Sequence, residues 1–286
     1  IAAVATATGI SARASATRFG AQLATTDAEQ VLTHPEVDAV VIATRHDTHA
    51  AYAALALRSG KHVFVEKPLA LDEHGLLDVE AAAADSGATL MVGFNRRFAP
   101  QVVRIREELG ESGPLMITYR VNAGRLPRSH WTHDPLVGGG RIVGEGCHFV
   151  DVAAYLAGGQ PALASAVALS GGVSEPREDT VAATLTFPGG SVAQIVYSAL
   201  GDPSLPKERL EVVGEAGAAV LDDFRELSLH KGGRTSIEQG KRDKGHRAEL
   251  DAFLEACRSG RQPWPVADMA AVTRATFAMR DAVAAP

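Results

Sequence analysis

The chain has 286 residues, enough for two domains with cores of their own. Its 28 Lys and Arg against 34 Asp and Glu give a net charge of −6 without a basic stripe, which argues against nucleic acid as a partner. No apolar run approaches the ~18–20 residues of a membrane-spanning helix, and Cys147 and Cys257 are too few and too far apart for a disulfide framework or a zinc cluster. Two reduced cysteines and no cationic leader ahead of an apolar segment read as a cytoplasmic protein. The first residue, Ile1, falls inside an expected strand, so the sequence reads as beginning within a longer gene product.

The first hundred residues alternate strand and helix. Residues 1–6 read as a strand, and 11–19 as an Ala-rich helix capped by Ser11 and closed by Gly20. A short helix is expected over 27–32, and the continuous apolar run 37–43 reads as a strand buried on both faces. Residues 48–58 place apolar side chains at 51, 52, 54, 55 and 57, a helix ended by Gly60. A strand to Lys67, a helix over about 71–85 and a strand over 89–94 follow. Repeated βα units of this length predict a right-handed, mostly parallel, doubly wound sheet.

From about Pro100 the pattern changes. A helix over 101–109 and an alternating strand over 115–122 precede a long polar loop, 125–140, and a helix over 142–156. Short strands are then expected near 162–169, 179–187, 191–199, 208–213, 218–221 and 226–230, with Phe187-Pro188-Gly189-Gly190 as a hairpin turn. Gly214-Glu215-Ala216-Gly217 joins two strands and reads as a second hairpin turn, since no helix follows it. Helices over about 245–257 and 266–283 finish the chain. Runs of strands with few helices predict an α+β domain on a large, mainly antiparallel sheet, giving domains at 1–98 and 99–286.

Val63-Phe64-Val65-Glu66-Lys67-Pro68 concentrates the chemistry of the first domain. The β-branched and aromatic run ends on a carboxylate and an ammonium, and the proline stops the strand and restricts Lys67 before it. Ligands of parallel α/β sheets bind outside the carboxyl ends of the strands, so this pair stands where chemistry is expected. Three further patterns follow the same order along the chain: Ala43-Thr44-Arg45-His46-Asp47-Thr48-His49, Val92-Gly93-Phe94-Asn95-Arg96-Arg97-Phe98, and Gly138-Gly139-Gly140 leading through Glu145-Gly146-Cys147-His148.

Together these patterns resemble the glucose–fructose oxidoreductase/inositol dehydrogenase (Gfo/Idh/MocA) family over nearly the whole chain. Their wording is most similar to the dehydrogenase half of bacterial two-module oxidoreductases, in which an alcohol-dehydrogenase-like module precedes this one. The resemblance implies a Rossmann-like domain, NAD or NADP as cofactor, a sugar, sugar nucleotide or cyclitol as substrate, and a homo-oligomer built on the open sheet face. It implies Lys67 beside the nicotinamide and the reacting oxygen, His148 as proton donor or acceptor, and Glu66 in support of Lys67. Cofactor contacts are expected from Thr6, Thr8, Arg13, Thr44, Arg45, His46, His49, Glu66, Lys67 and Asn95, and substrate contacts from Lys67, Arg96, Arg125, Trp131 and His148. Thr6 stands where NAD-preferring members often carry an acid, and Thr8 and Arg13 nearby leave room for the NADP 2′-phosphate.

The chemistry needs these residue types. Hydride transfer from a carbinol requires loss of the hydroxyl proton, which imidazole can take near neutral pH, while an ammonium stabilises the developing alkoxide. His130 and His133 with Asp134 offer a metal reading of the 125–134 loop, against the polyol-contacting reading that Arg125 and Trp131 support. Two departures from the family stand out. Gly144 occupies the place of an Asp one turn before His148, so either Glu145 takes over or it turns to solvent or to Arg141, and the family's first strand with its Gly-x-Gly-x-x-Gly turn is missing ahead of Ile1, which reads as truncation of the sequence. Two other functions remain open at this point: glycoside elimination through transient oxidation by a held NAD, and a non-catalytic dinucleotide-fold module of a fused protein.

Overall fold

In a computed structural model that describes residues 1–169 and 179–284, contacts divide the chain into two compact units. One comprises Ile1–Gly93 with Ala252–Val266, the other Phe94–Asp251 with Ala267–Pro286. The first unit thus takes back a segment from far along the chain, which a single cut at residue 98 does not contain.

The first unit is the expected parallel βα array. Strands β1 (Ala3–Ala5) and β2 (Leu23–Thr25) pair in parallel, as do β3 (Ala39–Ile42), β4 (His62–Val65) and β5 (Leu90–Val92) in the order β3-β4-β5. Helices α1 (Gly9–Phe19), α2 (Ala28–Leu32), α3 (His49–Arg58) and α4 (Glu73–Ser86) make the connections. Three readings are corrected. The cap of α1 is Thr8, whose side chain accepts from the Ser11 N–H, while Ser11 lies inside the first turn. The three-residue β2 has too short a run to announce itself in the sequence. β3 is not buried on both faces, for Val40 and Ile42 are inside while Val41 is 62% exposed.

The exposure of Val41 has a local cause. β1 and β3 each have a strand neighbour on one side only, and residues of both line a cavity of about 530 Å³, together with Val31 and Leu32 of α2. The opposite flank of the sheet is closed. The side chain of Gln262, in the returning segment, accepts from the Leu90 N–H and donates to the Leu90 carbonyl, while Phe253 meets the Phe64 ring edge-on at 5.6 Å.

In the second unit, α5 (Pro100–Leu109) starts on proline at its first position and buries Val102, Ile105 and Leu109, spaced three and four apart. Burial of each such side chain is worth roughly 1.5–3 kcal/mol. The eight-stranded sheet runs β13-β12-β11-β10-β6-β9-β8-β7, with all pairs antiparallel except β6 (Met116–Asn122) with β9 (Val192–Ser198). The others are β7 (Ala162–Ala168), β8 (Thr180–Thr186), β10 (Glu208–Gly214), β11 (Gly217–Asp222), β12 (Glu226–Lys231) and β13 (Arg234–Gln239). β13 was missed by the sequence reading because it is a polar edge strand with every residue exposed, and so lacks alternation.

The Gly214–Gly217 turn joins β10 to β11 as expected. Gly217 has φ +145°, and a Cβ there would lie 2.2 Å from the His230 carbonyl, so glycine is required. The core face carries Tyr119, Ile195, Leu210, Val212 and Leu227, with Phe149 of α6 (Cys147–Ala157) meeting Tyr119 edge-on at 5.0 Å. The expected single helix over 142–156 is in fact a π-helical turn, Ile142–Gly146, running into α6. The long α7 (His246–Ser259) and α8 (Val266–Ala284) complete the chain.

Candidate active site residues

At the carboxyl ends of the parallel strands of the first unit, backbone pairing runs one residue past the ladders. Glu66 N–H donates to the Ile42 carbonyl and Gly93 N–H to the Val65 carbonyl, both at 2.8 Å. This carries the sheet's order into the half-buried Glu66 and Lys67. A Cβ at Gly93 would stand 3.1 Å from Glu66 Oε2, so glycine there leaves the carboxylate its room. The Lys67–Pro68 peptide is cis.

The turn after β3 is tied within itself. Thr44 and Thr48 share a hydroxyl hydrogen bond of 2.6 Å, and Thr48 Oγ1 donates to the Arg45 carbonyl at 2.8 Å. Thr44 and Arg45 remain exposed, while His46 is buried. His49 was expected to touch cofactor, but it is 1% exposed, with Nδ1 2.8 Å from the Pro68 carbonyl and Nε2 3.2 Å from the Thr44 carbonyl. After β1, Ser11 Oγ lies 2.6 Å from Thr6 Oγ1 and 2.8 Å from Thr8 Oγ1 at the start of α1. Arg13 is exposed on the next turn, and no acid occupies the first turn of α1. This chain of hydroxyls at a helix N-terminus, with Thr44 past the end of β3 and Glu66 and Lys67 past the end of β4, suits a ribose–phosphate cofactor.

In the second unit, His148 sits in the first turn of α6 and is 6% exposed. The Glu145 carboxylate, expected to support His148, is held elsewhere. It accepts from Arg141 at 3.1 Å and Tyr197 at 2.5 Å on one oxygen, and from Lys207 at 2.6 Å on the other. Burial alone would push its pKa up; Lys207, Tyr197 and Arg141 outweigh that and hold it at about 2.

Arg96 and Asn95 are also redirected. The Arg96 guanidinium forks onto Glu208 at 2.8 and 2.9 Å in a buried cluster that Tyr119 and Lys244 join, and its cation lies over the Phe149 ring. These bonds commit the Arg96 fork to the Glu208 carboxylate. Asn95, buried, donates to the Lys244 carbonyl at 2.8 Å. Arg125 is exposed in its loop, and Trp131 packs near His130 at 5.8 Å. His130 Nδ1 meets the Thr132 hydroxyl at 2.9 Å, and among the described residues no group of three or more His, Cys, Asp or Glu is placed to hold a metal.

The sequence reading missed Tyr197, Lys207, Glu208 and Lys244. Only Arg141, four residues before Glu145, left a signal in spacing.

Comparison with known proteins agrees with this architecture. Residues 1–94 match the family model described as oxidoreductase family, NAD-binding Rossmann fold, and residues 106–220 match the GFO/IDH/MocA C-terminal domain. The chain is 30% identical over 231 residues to inositol 2-dehydrogenase of Rhizobium meliloti (strain 1021), covering 79% of this chain and 69% of that one. It superposes on UDP-N-acetylglucosamine 3-dehydrogenase from Acidithiobacillus ferrooxidans with a TM-score of 0.84 at 26% identity, covering 99% and 89% of the two chains. For levoglucosan dehydrogenase in complex with NADH and levoglucosan the TM-score is 0.83 at 23% identity, with 99% and 88% covered. With a parallel dinucleotide-type sheet followed by this eight-stranded sheet, and with both family models matched in order, the chain belongs to the GFO/IDH/MocA family of NAD(P)-dependent oxidoreductases.

Proposed function

We propose that the protein transfers hydride between NAD(P) and a secondary hydroxyl or ketone of a sugar, sugar nucleotide or cyclitol. The observation that carries the reading is the Glu66-Lys67-Pro68 turn, held in register at the carboxyl end of β4 and tied to the turn after β3 through His49. The printed names of the similar proteins, an inositol, a sugar nucleotide and an anhydrosugar dehydrogenase, support the substrate class.

A bound NAD(P) would supply the acceptor or donor of the hydride. This chain's own residues handle the proton and the charge. In oxidation, the His148 imidazole takes the hydroxyl proton as hydride leaves the carbinol carbon; in reduction, the imidazolium gives it back. Lys67 stabilises the negative charge that develops on the substrate oxygen, and Glu66 helps orient the ammonium. Thr6, Thr8 and Thr44 present hydroxyls for the cofactor ribose, and Arg13 leaves NADP acceptable.

The test is Lys67→Ala assayed by NAD(P)H absorbance. Turnover is expected to fall roughly 10²–10³-fold, the loss typical for one charge-stabilising donor, with cofactor affinity within about threefold of the parent by the same criterion of lost transition-state binding alone. Parental turnover would remove Lys67 from the mechanism.

The reading includes self-association. The solvent-facing side of the eight-stranded sheet exposes Met116, Val196, Val213 and Ile237, and Met116 lies directly opposite Val213.

A further inference from the structure

The two ring nitrogens of buried His49 reach the turns after two different strands. Nδ1 lies 2.8 Å from the Pro68 carbonyl, just past β4, and Nε2 lies 3.2 Å from the Thr44 carbonyl, just past β3. Carbonyl oxygens only accept, so each contact needs an N–H on the ring, and a neutral imidazole has one. Burial lowers the His49 pKa; the two carbonyls and Glu66 act against that, and Lys67 adds to the lowering. His46 is the other titratable ring against it, 5.5 Å away. The neutral ring therefore dominates near pH 7, and the shorter contact places its proton on Nδ1, donating to Pro68.

That bond acts on the residue that matters for the chemistry. Pro68 has no N–H of its own, so the backbone beyond Lys67 cannot be anchored there by donation. Its carbonyl is anchored instead by a side chain from the first position of α3, a helix whose packed residues Ala53, Ala54, Ala56 and Leu57 do not move freely. The Thr44 side of the ring faces the turn whose exposed hydroxyl is assigned to the cofactor.

We propose that His49 is a positioning residue: through Nδ1–H to the Pro68 carbonyl it fixes the turn that carries Lys67, while its ring packs against the Thr44 turn. The proposal rests on Lys67 being catalytic. It predicts a separation that packing alone does not produce. Asn at 49 places an amide N–H where Nδ1 stands and keeps the Pro68 bond; Gln places its amide nearer Nε2 and loses the Pro68 bond; Phe keeps the ring and loses that bond as well.

The experiment compares His49→Asn, His49→Gln and His49→Phe by steady-state kinetics and by amide hydrogen exchange of Lys67 and Leu69. The Phe and Gln variants are expected to lose roughly tenfold or more in kcat, as for a catalytic group displaced by about 1 Å, with exchange at Lys67 and Leu69 faster by a similar factor. The Asn variant is expected to keep parental kcat and exchange while raising the cofactor KM. Equal losses in all three, or parental exchange at Lys67 and Leu69 in the Phe variant, would overturn the proposal. Exchange that separates Asn from Gln and Phe, with Lys67→Ala fully active, would uphold the clamp and refute the role given to Lys67.

Discussion

Glu208 shows what a single buried carboxylate does in this protein. It is 1% exposed and gathers the Arg96 fork, the Tyr119 hydroxyl and the Lys244 ammonium. Burial pushes its pKa up, but Arg96 and then Lys244 hold it at about 2. Removing that charge leaves two cations buried without their anion, so Glu208→Gln is expected to destabilise the protein by about 3–5 kcal/mol, measured by urea unfolding. The sign of the pH dependence follows from the depressed folded value. The parent's advantage over the Gln variant is complete above the unfolded carboxylate pKa, about 4.3, and shrinks as pH falls through about 2. A constant difference between pH 7 and pH 2 would show that Glu208 acts by packing alone. Arg96 was expected at the substrate because an Arg in an Asn-Arg-Arg-Phe run carries no mark of its partner, which lies 112 positions away.

The π-helical turn Ile142–Gly146 is the element that delivers His148. Turns of this kind expose backbone that an ordinary helix would bond, and they recur at functional sites. Here Glu145 pins the turn, joined to β9 by Tyr197 and to the segment before β10 by Lys207. Tyr197→Phe removes one hydroxyl from a charged acceptor and is expected to cost about 1.5–3 kcal/mol, with faster amide exchange over residues 142–148 than in the parent. Unchanged stability would mean that Lys207 and Arg141 suffice. The sequence made the elements legible wherever apolar periodicity was strong, as in α3, α5 and the strands β6 to β12. Its candidates Glu66, Lys67, His148 and the strand-end threonines all stand in local patterns at the ends of elements. It was silent on Tyr197 and Lys207, whose pairing with Glu145 depends on chain return over 52 and 62 residues. It also misjudged His49, since a histidine beside a strand end reads the same whether it faces solvent or two carbonyls.

At the scale of the whole molecule, the proposed self-association would use the solvent-facing side of the eight-stranded sheet, since an isologous contact presents the same patch from both copies. Met116, Val196, Val213 and Ile237 share it with Arg209, which pairs with Glu211 and Asp222. Met116→Asp combined with Val213→Asp is expected to shift the protein toward monomer in light scattering without loss of helix or strand signal. An unchanged mass would place the contact elsewhere. The first unit raises a different matter, in the flank between β1 and β3. Asp38 and Ile42 turn their carbonyls to β4, which leaves the backbone of Ala39 and Val41 directed to the cavity side, along a wall of alanine and valine. Such a seam has no side chain to refuse a guest, since the lysines and prolines that guard natural edges are missing from Ala39–Ile42. For this chain by itself, an apolar strand seated in that seam is expected to slow amide exchange at Ala39 and Val41, and unchanged exchange would show the seam left unpaired.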